Sequence, residues 1–214
     1  MHAGFPCFSK DLHQIFRLGV HDNVEMPELV DKIAGPILAG GMAVILKLGF
    51  GYLMRDCLLD KKQAEKAMQF FNDNFVFIDP NAPGGQRFYQ GKFLLSTRKA
   101  GDNMNVWLRF CPEPDEIFVE TPFGKSINSL KVVETDVVDE KEATKLERDP
   151  EKVDLVIRFK DIDSIVGLIG RDDVDVVGLL LENVVQLTGN TGHLFKLGAI
   201  AKNIEIELGL VNVN

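Results

Sequence analysis

The spacing of hydrophobic residues along the chain changes near residue 75. Before that point the pattern predicts short helices at residues 8–18 and 27–33, a helix at 39–59 that is apolar nearly all round, and an amphipathic helix at 60–72. After residue 74 apolar and polar positions alternate, which predicts strands at residues 75–78, 87–97, 104–110, 116–121 and 130–138. The spacing of these strands is typical of an antiparallel meander.

In the C-terminal part of the chain the spacing of hydrophobic residues changes again, and each pattern covers a shorter segment. Its predicted elements are a strand from residue 155, helices at 162–169 and 174–181, a strand at 184–187 and a helix from 189 onward. Asp161 and Asp173 precede the first two helices and are expected to cap them. A run at residues 139–152 that holds both charge signs at helical spacing is typical of a solvated helix or excursion.

An apolar segment at residues 33–54 has the length needed to cross a bilayer, and its one charged residue is Lys47. Its glycines, Pro36 and the central lysine weaken insertion, because a lysine at mid-bilayer costs about 2.5 to 3.5 kcal/mol. We favour a core helix packed on the sheet. A helix that contacts a membrane or a partner stays open, since periodicity does not separate these cases.

Composition and charge narrow the classes of partner. With 26% charged and 45% hydrophobic residues the chain is an ordinary globular sequence. The net charge of −8 argues against a nucleic-acid partner and against electrostatic docking on anionic lipid, so at most transient membrane contact is expected. Cys7, Cys57 and Cys111 match neither a disulfide framework nor a zinc pattern. We expect a cytoplasmic location, because the first residues also lack signal-peptide features.

The sequence contains no recognisable catalytic motif. The tetrapeptide FGKS at residues 123–126 resembles the end of a phosphate loop, but Val119 stands where that loop requires a glycine. Gly49 and Gly51 lack the third glycine of a dinucleotide fingerprint. The histidines show no metal-ligand spacing, and the acidic residues are typical of helix caps and surface positions. We therefore expect no enzyme activity, no cofactor and no metal, and hold an unrecognised enzyme site as a third alternative.

The residues ENVVQLTGNTGHLFKL at positions 182–197, with the order strand, helix, helix, strand, helix across residues 154–197, resemble the sterol carrier protein-2 (non-specific lipid transfer) family. Residues 75–138 match that family only in the order and character of their elements. Asn183 stands where the family usually has glycine, and Asn is the other residue that readily adopts positive φ.

The resemblance implies an α+β fold, in which an antiparallel sheet of about five strands is covered by helices and encloses a hydrophobic tunnel. In this interpretation residues 1–74 are a helical extension packed on the core, and residues 75–214 are the sterol-carrier-like domain. The resemblance also implies which inward-facing apolar residues line the tunnel: Phe118, Phe123, Ile165, Leu168, Ile169, Leu180, Leu194 and Phe195.

Trp107 is a further candidate, on a different ground. It shares a strand face with Asn105 and Arg109, opposite Val106 and Leu108, so both faces of this strand carry large side chains. Trp107 is expected to line a cavity, to contact the N-terminal helices or simply to belong to the core.

The predicted function is the binding, and transfer or presentation, of a lipid-like molecule such as a fatty acyl chain, an acyl-CoA or a sterol. The alternative is a non-catalytic structural or interaction module. In that alternative the apolar helix at residues 39–59 docks on a second copy, giving a homodimer, or on another protein.

Overall fold

Nine strands and five helices are present in the residues that the computed structural model describes, which are 39–40, 61–168 and 175–207. The helices are α1 (Lys61–Phe75), α2 (Glu140–Glu147), α3 (Ile162–Val166), α4 (Val176–Leu181) and α5 (Gly192–Glu207). The strands are β1 (Val76–Ile78), β2 (Gln86–Phe88), β3 (Lys92–Thr97), β4 (Asn105–Phe110), β5 (Phe118–Thr121), β6 (Gly124–Ile127), β7 (Val133–Val137), β8 (Leu155–Phe159) and β9 (Val185–Gly189). The fold is α+β, as the sequence predicts.

Five of the strands form one sheet, in the order β7-β4-β3-β8-β9. Three of its pairings are antiparallel, whereas the central pair β3–β8 is parallel, with Phe93 opposite Leu155 and Thr97 opposite Phe159. A parallel pair needs a crossover connection, and the chain returns from β7 to β8 through α2. The expected sheet of five strands is confirmed, and this one pairing makes it mixed rather than wholly antiparallel. The predicted antiparallel meander is wrong, because β1–β2 and β5–β6 form separate two-stranded sheets.

The main hydrophobic core lies on one face of this sheet. Alternate strand residues point into it, as a period of two requires; they include Phe93, Leu95, Val106, Leu108, Phe110, Leu155 and Ile157. The helices on this face contribute Phe71 and Phe75 from α1, Ile165 from α3 and Ile200 from α5. The core therefore joins segments from both halves of the chain.

Helix α2 covers a smaller apolar cluster on the opposite face of the sheet. The cluster consists of Leu94, Ala143, Leu146, Val153 and Val156. Asp139 caps the helix, since its side chain accepts a hydrogen bond from the backbone N–H of Glu142 at 2.7 Å. The charged run thus forms the predicted helix, and its two buried side chains attach it to the sheet.

The strand predicted at residues 87–97 is wrong, because it is broken into β2 and β3. β2 pairs with β1 in a separate two-stranded sheet, whereas β3 joins the main sheet. Between them the Tyr89 side chain folds over Gly91, where a Cβ atom would lie only 2.5 Å from the Tyr89 hydroxyl oxygen. A side chain at position 91 would therefore force the Tyr89 ring to shift.

β6 was not predicted. It pairs with β5 in a hairpin, and Gly124 begins it with a φ of 105°. The tetrapeptide at residues 123–126 is therefore the turn and outgoing strand of a hairpin rather than a phosphate loop.

Ala39 belongs to the main core. This residue is helical and fully buried within the main cluster. The helices predicted at residues 8–18 and 27–33, most of the apolar segment 33–54 and the predicted cap Asp173 lie outside the described residues. Helix α1 crosses the domain boundary predicted after residue 74, and its Phe71 belongs to the core of the sheet.

Candidate functional site

Three of the nine candidate residues lie at the main core: Phe118, Ile165 and Leu194. Ile165 is buried on α3, and Leu194 packs against the core from α5. The ring of Phe118 lies 5.8 Å from that of Phe71 and 5.9 Å from that of Phe88. These rings join the hairpin β5–β6 to α1, so the three candidates lie between the sheet and the helices.

Three other candidates are exposed. Phe123 lies in the turn of the hairpin β5–β6, Leu180 lies on α4, and Phe195 lies on α5. Leu168 is half-buried just after α3, and Ile169 lies outside the described residues. These positions do not converge with the first three into a single lining.

Trp107 lies on the opposite face of the sheet from the main core. Its ring packs against the cluster beneath α2, and its indole N–H donates to the carbonyl oxygen of Lys152 at 3.1 Å. The neighbouring Val106 and Leu108 point to the other side. The sheet therefore separates Trp107 from Phe118, Ile165 and Leu194. Of the three roles considered for Trp107, its contacts match packing in the core.

Large apolar side chains are exposed on the two C-terminal helices. Val177 and Leu181 of α4 are 65% and 82% exposed, and Phe195 of α5 is 73% exposed. The inner sides of the same helices pack against the core through Leu179 and Leu197. Apolar groups that stay in water in this way mark sites that receive a ligand, a membrane or another protein when they lie together.

A polar group between α5 and the sheet was not anticipated from the sequence. The Tyr89 hydroxyl lies 2.8 Å from Nδ1 of His193. Lys196 Nζ lies over the rings of Phe77 and Tyr89, 5.5 and 5.9 Å from their centroids. Burial raises the pKa of Tyr89, with the charge of Asp154 as a second cause, and burial lowers the pKa of Lys196. Tyr89 and His193 are 104 residues apart, so no local motif could reveal their contact.

An open cleft of about 630 Å³ lies at the carboxyl ends of β3 and β8. It is lined by Arg98, Lys99, Lys160, Asp161, Glu182, Asn183 and Val184. Because β3 and β8 are parallel, the residues that follow Thr97 and Phe159 emerge at the same end of the sheet. None of the nine candidate residues lines this cleft, which depends on strand pairing that the sequence alone did not predict.

Arg98 holds the turn between α4 and β9 in place at the edge of the cleft. Its Nη2 donates to the carbonyl oxygen of Asn183, and its Nη1 donates to the Asn183 side-chain oxygen at 3.4 Å. Asn183 has a φ of 57°, the positive value expected at the position of the family's glycine. In the part of the chain that the structure describes, Arg98 Nε is buried without a hydrogen-bond partner.

Two aspartates bind the start of α3 next to the cleft. Asp161 caps α3, as predicted, by accepting from the hydroxyl and the backbone N–H of Ser164 at 2.5 and 2.8 Å. These hydrogen bonds, led by that of the hydroxyl and aided by nearby lysines, hold the pKa of Asp161 below its usual value. Asp102 accepts from the backbone N–H of Ile162 at 3.1 Å, but burial raises the pKa of its carboxyl group.

The described residues give little support for a reactive thiol, a metal site or a membrane-spanning helix. Burial raises the pKa of the Cys111 thiol to about 12, so this cysteine stays a protonated core residue. Within residues 39–40, 61–168 and 175–207, no three His, Cys, Asp or Glu side chains are grouped as metal ligands. Across the same ranges, no helix combines the length and the apolar character needed to cross a membrane.

Comparison with known proteins gives no further assignment. No family model, no curated protein and no solved structure matches the chain. The resemblance to the sterol carrier protein-2 family therefore rests on residues 182–197 and on the element order β8, α3, α4, β9, α5, which is the order predicted from the sequence.

Proposed function

We propose that the protein binds a lipid-like molecule, whose apolar chain lies between the sheet and the helices α3, α4 and α5. The ligand is transferred or presented without covalent chemistry. The free energy of binding comes from apolar surface leaving water, at about 25 cal/mol per Å². The resemblance over residues 154–197 supports this proposal, and the observation that carries it is the apolar surface exposed on α4 and α5.

Helix α4 has the properties of a movable cover. It is six residues long, and Asp175 caps it by accepting from the backbone N–H of Gly178 at 2.9 Å. Of its described side chains, Leu179 is the one that packs against the main core, whereas Val177 and Leu181 are exposed. A helix that buries so little opens at a low cost in free energy. Once open, α4 can turn Val177 and Leu181 toward an apolar chain, which would remove these side chains from water.

A chain-length series tests this proposal directly. Saturated fatty acids of increasing length are titrated, below their micelle concentration, against a bound fluorescent fatty acid. Each buried methylene contributes about 0.8 kcal/mol, so affinity is expected to rise about fourfold per methylene until the site is full. Saturation is expected at one ligand per chain. A failure of fatty acids, acyl-CoA, sterols and phospholipids all to show saturable binding would refute the proposal.

The variant Leu180→Trp locates the site on α4. The added ring is expected to occupy space needed by the ligand and to weaken binding about tenfold, with little change in melting temperature. Leu130→Trp is the matched control, because Leu130 is also an exposed leucine and lies between β6 and β7. An equal loss of affinity in both variants would show that the ligand does not lie against α4.

The exposed side chains of α4 and α5 also fit the alternative function, in which the protein docks on a second copy or on another protein. Sedimentation equilibrium distinguishes this case. If the alternative holds, the protein is expected to form a dimer that dissociates in the variant Leu181→Lys, and it should bind no lipid. A monomer at all concentrations, with saturable binding of a fatty acid, favours the carrier function.

A further inference from the structure

The parallel pairing of β3 and β8 brings three cationic side chains to one end of the sheet. Arg98 and Lys99 follow β3, and Lys160 follows β8. The Arg98 backbone N–H donates to the carbonyl oxygen of Phe159 at 2.9 Å, so the two chain segments stay paired beyond the strands. All three cations line the same cleft, although 60 or more positions of the sequence separate Lys160 from the other two.

The cleft has a positive balance of charge. Three cations face two carboxylates, those of Asp161 and Glu182, in a protein whose net charge is −8. The Asp161 carboxylate accepts hydrogen bonds from Ser164 and keeps its negative charge, so the three cations and two carboxylates of the lining sum to a formal charge of +1. Lys99 lies 3.9 Å from the buried Asp102, whereas no ion pair of Lys160 is present among the described residues. A local cationic site in an acidic protein attracts an anion while the remaining surface repels it.

The cleft continues directly from the apolar side chains of α4. That helix ends at Leu181, and the next two residues, Glu182 and Asn183, are cleft residues. Arg98 holds this junction through its hydrogen bonds to Asn183. A charged site and an apolar surface therefore meet within two residues, which is the arrangement that an amphiphilic ligand needs.

We propose that this cleft binds the phosphate group of an amphiphile whose single apolar chain lies against α4. This inference rests on the proposed function, because it adds a head-group site to the binding of an apolar chain. A phosphate monoester suits the cleft because it carries a charge of about −1.5 to −2 and three acceptor oxygens. Arginine and lysine are the side chains that bind such groups most often.

The test separates the contribution of the phosphate from that of the chain. Three ligands are titrated calorimetrically against the full chain: oleoyl lysophosphatidic acid, monooleoylglycerol, which has the same chain without phosphate, and glycerol 3-phosphate, which has no chain. We expect the phosphate to improve the affinity of the oleoyl ligand at least about tenfold, which corresponds to about 1.4 kcal/mol. Raising the salt concentration should reduce that gain.

Two charge variants connect this gain to the cleft. Lys160→Gln is expected to reduce the phosphate preference to about threefold or less, while the affinity for monooleoylglycerol stays unchanged. Lys99→Gln provides a second removal of a cleft charge. The matched control is Lys141→Gln, an equal change of charge at an exposed position on α2, on the opposite face of the sheet.

Each outcome decides a separate part of the proposal. Equal affinities for the two oleoyl ligands would overturn the head-group site and leave the proposed function intact. Tight binding of glycerol 3-phosphate, equal to that of lysophosphatidic acid, would show a site for free phosphate and overturn the amphiphile. An equal effect of Lys141→Gln would show that long-range charge, rather than the cleft, causes the preference. Failure of both oleoyl ligands to bind would overturn the inference together with the proposed function.

Discussion

The contact between Tyr89 and His193 offers a sharp test of how α5 is held on the sheet. The phenol ring is buried, and its hydroxyl group lies 2.8 Å from His193 Nδ1. Burial raises the pKa of Tyr89, so the phenol keeps its proton at neutral pH, and its hydroxyl shares a hydrogen bond with His193 Nδ1. The variant Tyr89→Phe removes this hydroxyl group and leaves the ring in place.

The expected loss of stability follows from these contacts. The ring still packs against Phe110, at a centroid distance of 5.8 Å, so loss of one oxygen atom leaves almost no cavity. The loss is therefore that of one hydrogen bond plus the cost of an unpaired Nδ1 on a half-buried histidine. Together these terms amount to about 1 to 2 kcal/mol.

Urea denaturation at pH 7 measures the loss, and a double-mutant cycle assigns it to the pair. Tyr89→Phe, His193→Leu and the double variant are compared with the unmodified protein. A coupling energy of about 1 kcal/mol is expected, because the two side chains form one hydrogen bond. Hydrogen exchange in the first turns of α5 should become faster in both single variants.

A coupling energy near zero would refute this reasoning. It would mean that the two side chains do not contact each other in solution, and that α5 packs on the sheet in another way. A loss in Tyr89→Phe that is unaffected by the change at His193 would have the same meaning, since the hydroxyl would then have a different partner.

Two further changes test the backbone at the end of β9 and a charge beside the cleft. Gly189→Ala is expected to lower the free energy of unfolding in urea by at least about 2 kcal/mol, because Gly189 has a φ of 113° and a Cβ there would lie 2.3 Å from the carbonyl oxygen of Asp154. Gly101 also has a positive φ but open space around it, so Gly101→Ala should cost less. Equal losses in the two variants would contradict the clash. Burial raises the pKa of Asp102 above its ordinary value of 3.8, so its stabilising effect is fully present below that pH and is lost as pH rises through the folded-state pKa. As the pH falls from 7 to 4, the free energy of unfolding of the unmodified protein should therefore rise relative to that of Asp102→Asn. A difference that stays constant with pH would contradict this sign.

Local rules predicted the elements whose causes are local. The charged run at residues 139–152 favoured a solvated helix or an excursion and forms the helix α2, and the side chain of Asp161 caps α3 as expected. Asn183 adopts the positive φ expected of a residue in the place of glycine. Each of these features depends on a few neighbouring residues, so the sequence suffices to predict it.

The features that were not predicted from the sequence depend on contacts between residues that are far apart in the chain. The parallel pair β3–β8 is fixed by contacts such as that of the Lys92 N–H with the Asp154 carboxylate, 62 residues away, and a period of two carries no information about strand direction. Phe195 was expected to face inward, yet on α5 its neighbours Leu194 and Leu197 take the core side and leave it exposed. The cleft combines residues of three separate segments, which only the strand pairing brings together.

The most direct test of lipid binding is native mass spectrometry of the protein purified from its own source, followed by solvent extraction and lipid analysis. The expected spectrum shows the chain with one additional mass, and the extract contains one equivalent of a molecule with an apolar chain. A phosphate on that molecule would extend the result to the cleft of Arg98, Lys99 and Lys160. A spectrum of the chain alone, from protein that also fails to take up added fatty acid or lysophosphatidic acid, would contradict the account.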